Sequence, residues 1–199
     1  ILVTGGTGFI GQRIVRMLLG RGHEVHVVGR FAKAVEKDVQ FHRVNLAREI
    51  IPSKVSDGVD AVFHVAAKTG VWGPASAYRD ANVFATNRVM DACRESGIKH
   101  LVYTSTPSVV FTGKPFRGEG EELPYGSNWI CHYARTKAIA EKAVLDANGQ
   151  GVLKTIALRP HLVWGSGDPH LIPKIISRAQ SGKLRIVGDG SNLVDLTHV

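Results

Sequence analysis

The chain predicts an α/β fold, a doubly wound parallel sheet with the beginning of a smaller C-terminal subdomain. Three observations carry this. Short β-branched runs alternate with amphipathic helical patterns, the first run opens directly into a glycine-rich turn, and beyond residue 160 the alternation gives way to turn-rich segments. The expected boundaries are a dinucleotide-binding domain over 1–160 and the start of a substrate-binding subdomain over 161–199, which stops before it is complete.

The strands are read in order. ILVT (1–4), EVHVVG (24–29), VQFHRV (39–44), AVFHVA (61–66), HLVYTS (100–105) and LKTIALR (153–159) are short and rich in Val, Ile, Phe and Thr. Helical patterns lie between them at about 10–20, 75–96 and 129–147. Strands alternating with helices predict a parallel sheet covered on both faces. Residues 106–128 are too rich in Gly, Pro and Glu for an element and long for a connection, so they read as a functional loop. After PHLVWGSGDP come an expected helix, HLIPKIISRAQSG, and a short strand, LRIVG (184–188).

Composition narrows the function classes. With 199 residues, 44% hydrophobic and 21% charged, the chain suffices for one substantial core. Cys93 and Cys131 are its two cysteines; they form no CxxC and have no zinc-like histidine spacing, so free thiols and no metal site are expected. No apolar run approaches the ~20 residues of a membrane span, and no leader pattern precedes the first strand, which predicts a cytoplasmic protein. The net charge of +8 is scattered rather than gathered in a stripe, and aromatics make up 7%, so a nucleic-acid partner is not expected. A positive field does favour anionic small molecules.

TGGTGFIG (4–11) lies between the first strand and first helix and satisfies both GxGxxG and GxxGxxG, through Gly5, Gly6, Gly8 and Gly11. Glycines there allow a sharp turn, close backbone approach to a pyrophosphate, and tight helix packing, while the helix start offers free amides. At the end of the second strand an NAD site presents an acid to the ribose. Here Gly29 and Arg30 stand instead. A guanidinium there suits a 2′-phosphate and favours NADP over NAD; a surface arginine at a strand end is the competing reading. Finally, HYARTKAIAEK sets Tyr133 and Lys137 four apart in a helical pattern, hence one turn apart on one side. The spacing permits an ammonium beside a phenol, but two polar residues on a solvated face satisfy it equally.

TGGTGFIG, HVAA (64–67), YTSTPSVVF (103–111), YARTK (133–137), LRPHLVWGSGD (158–168) and VGDGSNLVDLTHV (187–199) occur in the order found in extended short-chain dehydrogenases/reductases, the epimerase/dehydratase superfamily. Through YTSTPSVVF, the Glu-rich loop after it and AEKAVLDANG, the chain most resembles the 3β-hydroxysteroid and sterol-4-carboxylate dehydrogenase branch. The resemblance runs from Ile1 to Val199 and implies a Rossmann fold. It also implies that Tyr133 is the catalytic acid/base, that Lys137 holds the nicotinamide ribose and lowers the phenol pKa, and that Thr106, with Ser105 beside it, hydrogen-bonds the substrate oxygen.

Among the positions the resemblance implies for the cofactor are Gly5, Gly8, Phe9, Ile10 and Gly11 in the glycine turn, small Ala66 and Ala67 after the fourth strand, and Pro160 with His161 near the nicotinamide. It implies a structural role for Asn82, and Asn45 stands where relatives often place an aspartate against adenine. His64 reads as a packed strand residue, Arg159 as structural or cofactor-near, and Trp72 and Trp164 as loop residues lining a pocket or packing on their own domain. The expected activity is that of an NAD(P)-dependent oxidoreductase acting on a secondary alcohol, the 3β-hydroxyl of a sterol-like substrate. The alternatives are a nucleotide-sugar epimerase/dehydratase holding NAD tightly, and a non-catalytic cofactor-sensing protein, against which the intact Tyr133, Lys137 and Thr106 argue. A homodimer is implied through the helix carrying the YxxxK.

Overall fold

The computed structural model describes residues 1–32, 36–186 and 188–199. They form two compact units, Ile1–Arg159 and Pro160–Val199. In the first, β1 (Leu2–Thr4), β2 (Val25–Gly29), β3 (Val39–Arg43), β4 (Ala61–His64), β5 (His100–Thr104) and β6 (Lys154–Leu158) make one parallel sheet in the order β3-β2-β1-β4-β5-β6. The chain starts in the middle, winds to one edge, then returns to β4 and winds to the other. The loops leaving β1 and β4 therefore stand where the strand order reverses, at the carboxyl edge, where such sheets bind ligands.

Each face buries the alternate residues of its strands. On one face, α1 (Phe9–Leu19) lays Val15 and Leu18 on Val3, Val25 and Val27. On the other, α4 (Ala85–Glu95) and α5 (His132–Asp146) bring Val89, Met90, Ala140 and Val144 against Leu2, Val28, Val62 and Leu101. Register carries Val3 across to Phe63, Val102 and Ile156, so Ile156 and Leu158 of edge strand β6 share the α1 face. They remain 51% and 48% exposed. Among the described residues, then, cover on the α1 face is partial, where the sequence predicts a sheet covered on both sides.

Other departures from expectation are local. A short α2 (Ser53–Ser56) was not legible in the pattern. The helical stretch expected over 75–96 is α3 (Ala75–Tyr78), a π-helical segment (Arg79–Phe84) and α4 in succession. The wider turn holds Asn82, which is buried and bonded outside the helix. α5 begins at His132 rather than 129. The loop over 106–128 contains a 3-10 turn (Pro107–Val109) and its own small core, in which Val109 and Val110 meet Ala138, Leu123, Tyr125 and Trp129.

In the second unit β7 (Val163–Trp164) pairs in parallel with β8 (Thr197–His198). Asp168 caps α6 (Leu171–Gln180), accepting the amides of His170, Leu171 and Ile172 at 2.8, 3.1 and 2.8 Å. None of this unit's described residues is buried. The strand expected over 184–188 does not form: residues 184–186 and 188 lie in no strand, and Val187 is outside the described residues.

Candidate active site

The glycine turn is tight for reasons that differ along it. Gly5 has φ +69°, and a Cβ there would come within 2.8 Å of the Ala66 backbone, so the β1 and β4 loops touch at this residue. Gly8 donates its amide to the Gly5 carbonyl at 2.9 Å and caps α1. A Cβ on Gly11 would collide with that same carbonyl. The amides of Phe9, Ile10 and Gly11, at the start of α1, have no acceptor within the helix. With no acid in the first turn, this end is suited to an anion. Arg30 is exposed just past β2, its guanidinium 5.6 Å from the Phe31 ring centroid. Arg43 stands beside Gly29 in register.

Behind the turn runs a chain of buried hydrogen bonds. Thr86 donates its hydroxyl to the Asn82 carbonyl at 2.6 Å, leaving its oxygen to accept from His64 Nε2 at 2.9 Å. His64 Nδ1 then accepts from Thr4 at 2.6 Å, and Thr4 Oγ1 accepts the Ala66 amide at 3.2 Å. Burial, with the nearby Lys137 charge, holds the imidazole pKa down at about 3, so His64 is neutral and structural. The Asn82 side chain accepts from the Lys68 amide at 2.7 Å and donates to the Lys68 carbonyl at 3.1 Å and the Thr136 hydroxyl at 3.0 Å. It ties the loop after β4 to the first turns of α5.

At the end of β5, the residues 105, 106, 133 and 137 come together. Lys137 is 2% exposed; its ammonium donates to the Thr104 carbonyl at 2.6 Å and lies 4.0 Å from the centroid of the Tyr103 ring. Burial pushes its pKa down to about 7, with Glu141 one turn on pulling the other way. Tyr133 is half-buried, which raises its phenol pKa; the Thr106 hydroxyl acts to lower it. The phenol is thus harder to ionise than a free tyrosine, where the sequence predicts the lysine to make it easier. Lys137 bonds to a backbone carbonyl instead. Thr106 also caps the 3-10 turn, accepting the Ser108 amide at 3.3 Å, while Ser105 Oγ is buried beside the Glu141 carboxylate.

Two residues that the motifs did not single out support this group. Glu141, fully buried, continues the Tyr133–Lys137 stripe by one more turn. It takes Arg159 Nη2 at 2.6 Å and the Tyr125 hydroxyl at 3.0 Å. Burial alone would raise its carboxyl pKa, but the Arg159 guanidinium outweighs that and holds it low. Arg159 therefore serves as an anchor between α5 and the end of β6. Tyr103, 1% exposed, lies beneath the lysine. An acid eight positions after the tyrosine was a readable signal of an inward-facing partner; nothing in the local sequence of Tyr103 marked its ring.

The glycine turn follows β1 and the Tyr133 group gathers at the end of β5, two strands separated by β4 and hence about 10 Å apart in the sheet. Ala66 is half-buried against Gly5, and Ala67 is exposed beside it. Pro160 and His161 open the second unit. Trp72 is 88% exposed, and Trp164 sits edge-on to His198. Among the described residues, no group of three or more His, Cys, Asp or Glu side chains could hold a metal, and no helix is long and apolar enough to cross a membrane.

Comparison with known proteins is consistent across the chain. A 2-alkyl-3-oxoalkanoate reductase from Stenotrophomonas maltophilia is 49% identical over 100% of this chain and 61% of its own length. The decarboxylating sterol-4-alpha-carboxylate 3-dehydrogenase of Mus musculus is 38% identical over 99% of this chain and 55% of its own. The chain thus spans little more than half the length of these relatives. Among solved structures, MoeE5 in complex with UDP-glucuronic acid and NAD matches at 33% identity and TM-score 0.83, over 99% of this chain and 67% of that one. The model of the 3-beta hydroxysteroid dehydrogenase/isomerase family matches residues 2–199, so this chain belongs to that family.

Proposed function

We propose that the chain carries the dinucleotide site and catalytic group of an NAD(P)-dependent oxidoreductase, acting on a secondary alcohol or its ketone. The observation that carries this reading is the convergence of Tyr133, Thr106 and buried Lys137 on the end of β5, at the same edge of the sheet as an anion-suited glycine turn. The turn fits a dinucleotide: Gly5 and Gly11 admit no Cβ, and the α1 amides are free. When bound, the nicotinamide supplies the hydride acceptor or donor. Gly5, Gly8, Phe9, Ile10 and Gly11 hold the pyrophosphate, and Ala66 and Ala67 let the dinucleotide lie close to the backbone. Arg30 favours a 2′-phosphate and hence NADP.

Tyr133 exchanges the proton of the reacting oxygen, and Thr106 donates a hydrogen bond to that oxygen, with Ser105 as second candidate. The Lys137 ammonium holds the ribose and opposes the charge of the phenolate. Since burial alone raises the Tyr133 pKa, phenolate near neutrality depends on positive charge brought beside it. The names of the two enzymatic relatives share one chemistry: a ketone or carbinol with a carboxylate on the adjoining carbon. We assign that β-oxo or β-hydroxy acid class here. Oxidation of such an alcohol yields a β-keto acid, which can lose carbon dioxide without further catalysis.

The test is absorbance of reduced nicotinamide when the intact protein meets NAD(H) or NADP(H) with 2-alkyl-3-oxo acids, 4-carboxysterols and nucleotide sugars. Turnover of a β-oxo or β-hydroxy acid, reduced by a factor of ~10³ or more in Tyr133→Phe, supports the reading. The structural likeness to MoeE5, solved with a nucleotide sugar and NAD, supports a nucleotide-sugar epimerase/dehydratase that keeps NAD bound as second reading; sugar interconversion without net reduction would favour it.

A further inference from the structure

The Lys137 ammonium has little to replace its hydration. Its hydrogen bond among the described residues is to the Thr104 carbonyl, and its other close neighbour is the face of the Tyr103 ring, 4.0 Å from its centroid. That is well inside the ~6 Å range over which a ring quadrupole attracts a cation. The ring is held in turn: Tyr103 is 1% exposed and its centroid lies 5.6 Å from that of His64. Its hydroxyl, also buried, has the Thr86 hydroxyl beside it. The ring face, not the hydroxyl, is what meets the ammonium.

We propose that Tyr103 is the positioning residue for Lys137, and that its ring face, rather than its hydroxyl, keeps the amine charged and in place at the strand end. The proposal rests on the active-site reading above and adds the device that maintains the lysine. The ring stabilises the ammonium against the burial that otherwise drives it towards the neutral amine. The groups facing Lys137 are Tyr133 and Glu141 on its own helix, His64 from β4, Tyr103 and the Thr104 carbonyl from β5, and Arg159 from the end of β6, through Glu141. Between pH 5 and 9 none of these others changes charge, because His64 stays neutral, the Glu141–Arg159 pair stays ionised and the phenols stay protonated. A titration in that window reports Lys137.

The experiment is an NMR titration of the intact protein carrying ¹³C at the lysine ε-carbons, with Lys137→Met to assign the signal. Tyr103→Phe keeps the ring and is expected to leave the midpoint unmoved. Tyr103→Leu removes it and is expected to lower the midpoint by about one unit. Should the leucine variant fail to fold, phenylalanines of increasing fluorination at position 103 keep the shape while draining the ring face, and the midpoint should fall stepwise. A midpoint indifferent to fluorination, or a Tyr103→Phe shift as large as that of Tyr103→Leu, overturns the proposal. The titration needs no substrate, so absent turnover with the expected shifts would sink the oxidoreductase reading and leave the ring's role standing.

Discussion

At the residue scale, the site is built from charges the fold holds at a cost. Burial pushes the Lys137 pKa down to about 7 in the folded chain, from the ordinary 10.5. Between those values the unfolded chain holds a proton that the folded chain has released, so this group's contribution to stability rises with pH across the window and is least favourable below 7. Lys137→Met is therefore expected to abolish turnover yet raise stability by about 1–3 kcal/mol at pH 6, a gain that narrows by pH 9. Urea unfolding at the two pH values checks it. His64 gives the acid side. Its folded pKa of about 3 lies below the ordinary 6.5, so the stability it confers is complete above 6.5 and is lost as pH falls from there towards 3. The unfolding midpoint should fall over that range in the native protein, and the slope should flatten in His64→Gln.

At the element scale, the decisive joints are where helices meet strand ends. Gly11 lies in the first turn of α1 with the Gly5 carbonyl where its Cβ would be. Gly11→Ala, which in an exposed helix would be mildly stabilising, is expected here to cost about 2–4 kcal/mol and to weaken dinucleotide binding at least tenfold. Thermal unfolding and cofactor fluorescence titration measure the two effects. The π-helical segment is the second joint. Helical periodicity over 75–96 was readable, but the wider turn was not, because it is set by where the Asn82 side chain finds partners, on Lys68 and Thr136 far along the sequence. The same holds for α5, where the Tyr–Lys spacing was visible locally while the Glu141–Arg159 pair joins it to a strand beyond the helix.

At the scale of the whole molecule, the two units differ in kind. The first buries a core on both faces of its sheet, whereas among the described residues of the second none is buried. Local opening is easiest where few apolar contacts must break. Brief trypsin treatment is expected to cut at Lys183 or Arg185 before any site in residues 1–159, and mass spectrometry of the first products would show it; early cuts within the sheet would contradict the assignment of the core.

What the sequence by itself determined is what depends on neighbours in the chain: the strands and their alternation, the glycine turn between β1 and α1, and the stripe of Tyr133 and Lys137 on one helix. Fold class follows from these because periodicity and turn chemistry are short-range properties. The tertiary structure alone decided which state those residues are in. Burial drives Lys137 towards neutrality and raises the Tyr133 pKa, opposite to the simple picture of an ammonium beside a phenol. It also placed the Tyr103 ring under the lysine, closed Glu141 onto Arg159 and left the β6 face half exposed. Desolvation and long-range pairing depend on segments that meet only in space, and no window of the sequence contains both partners.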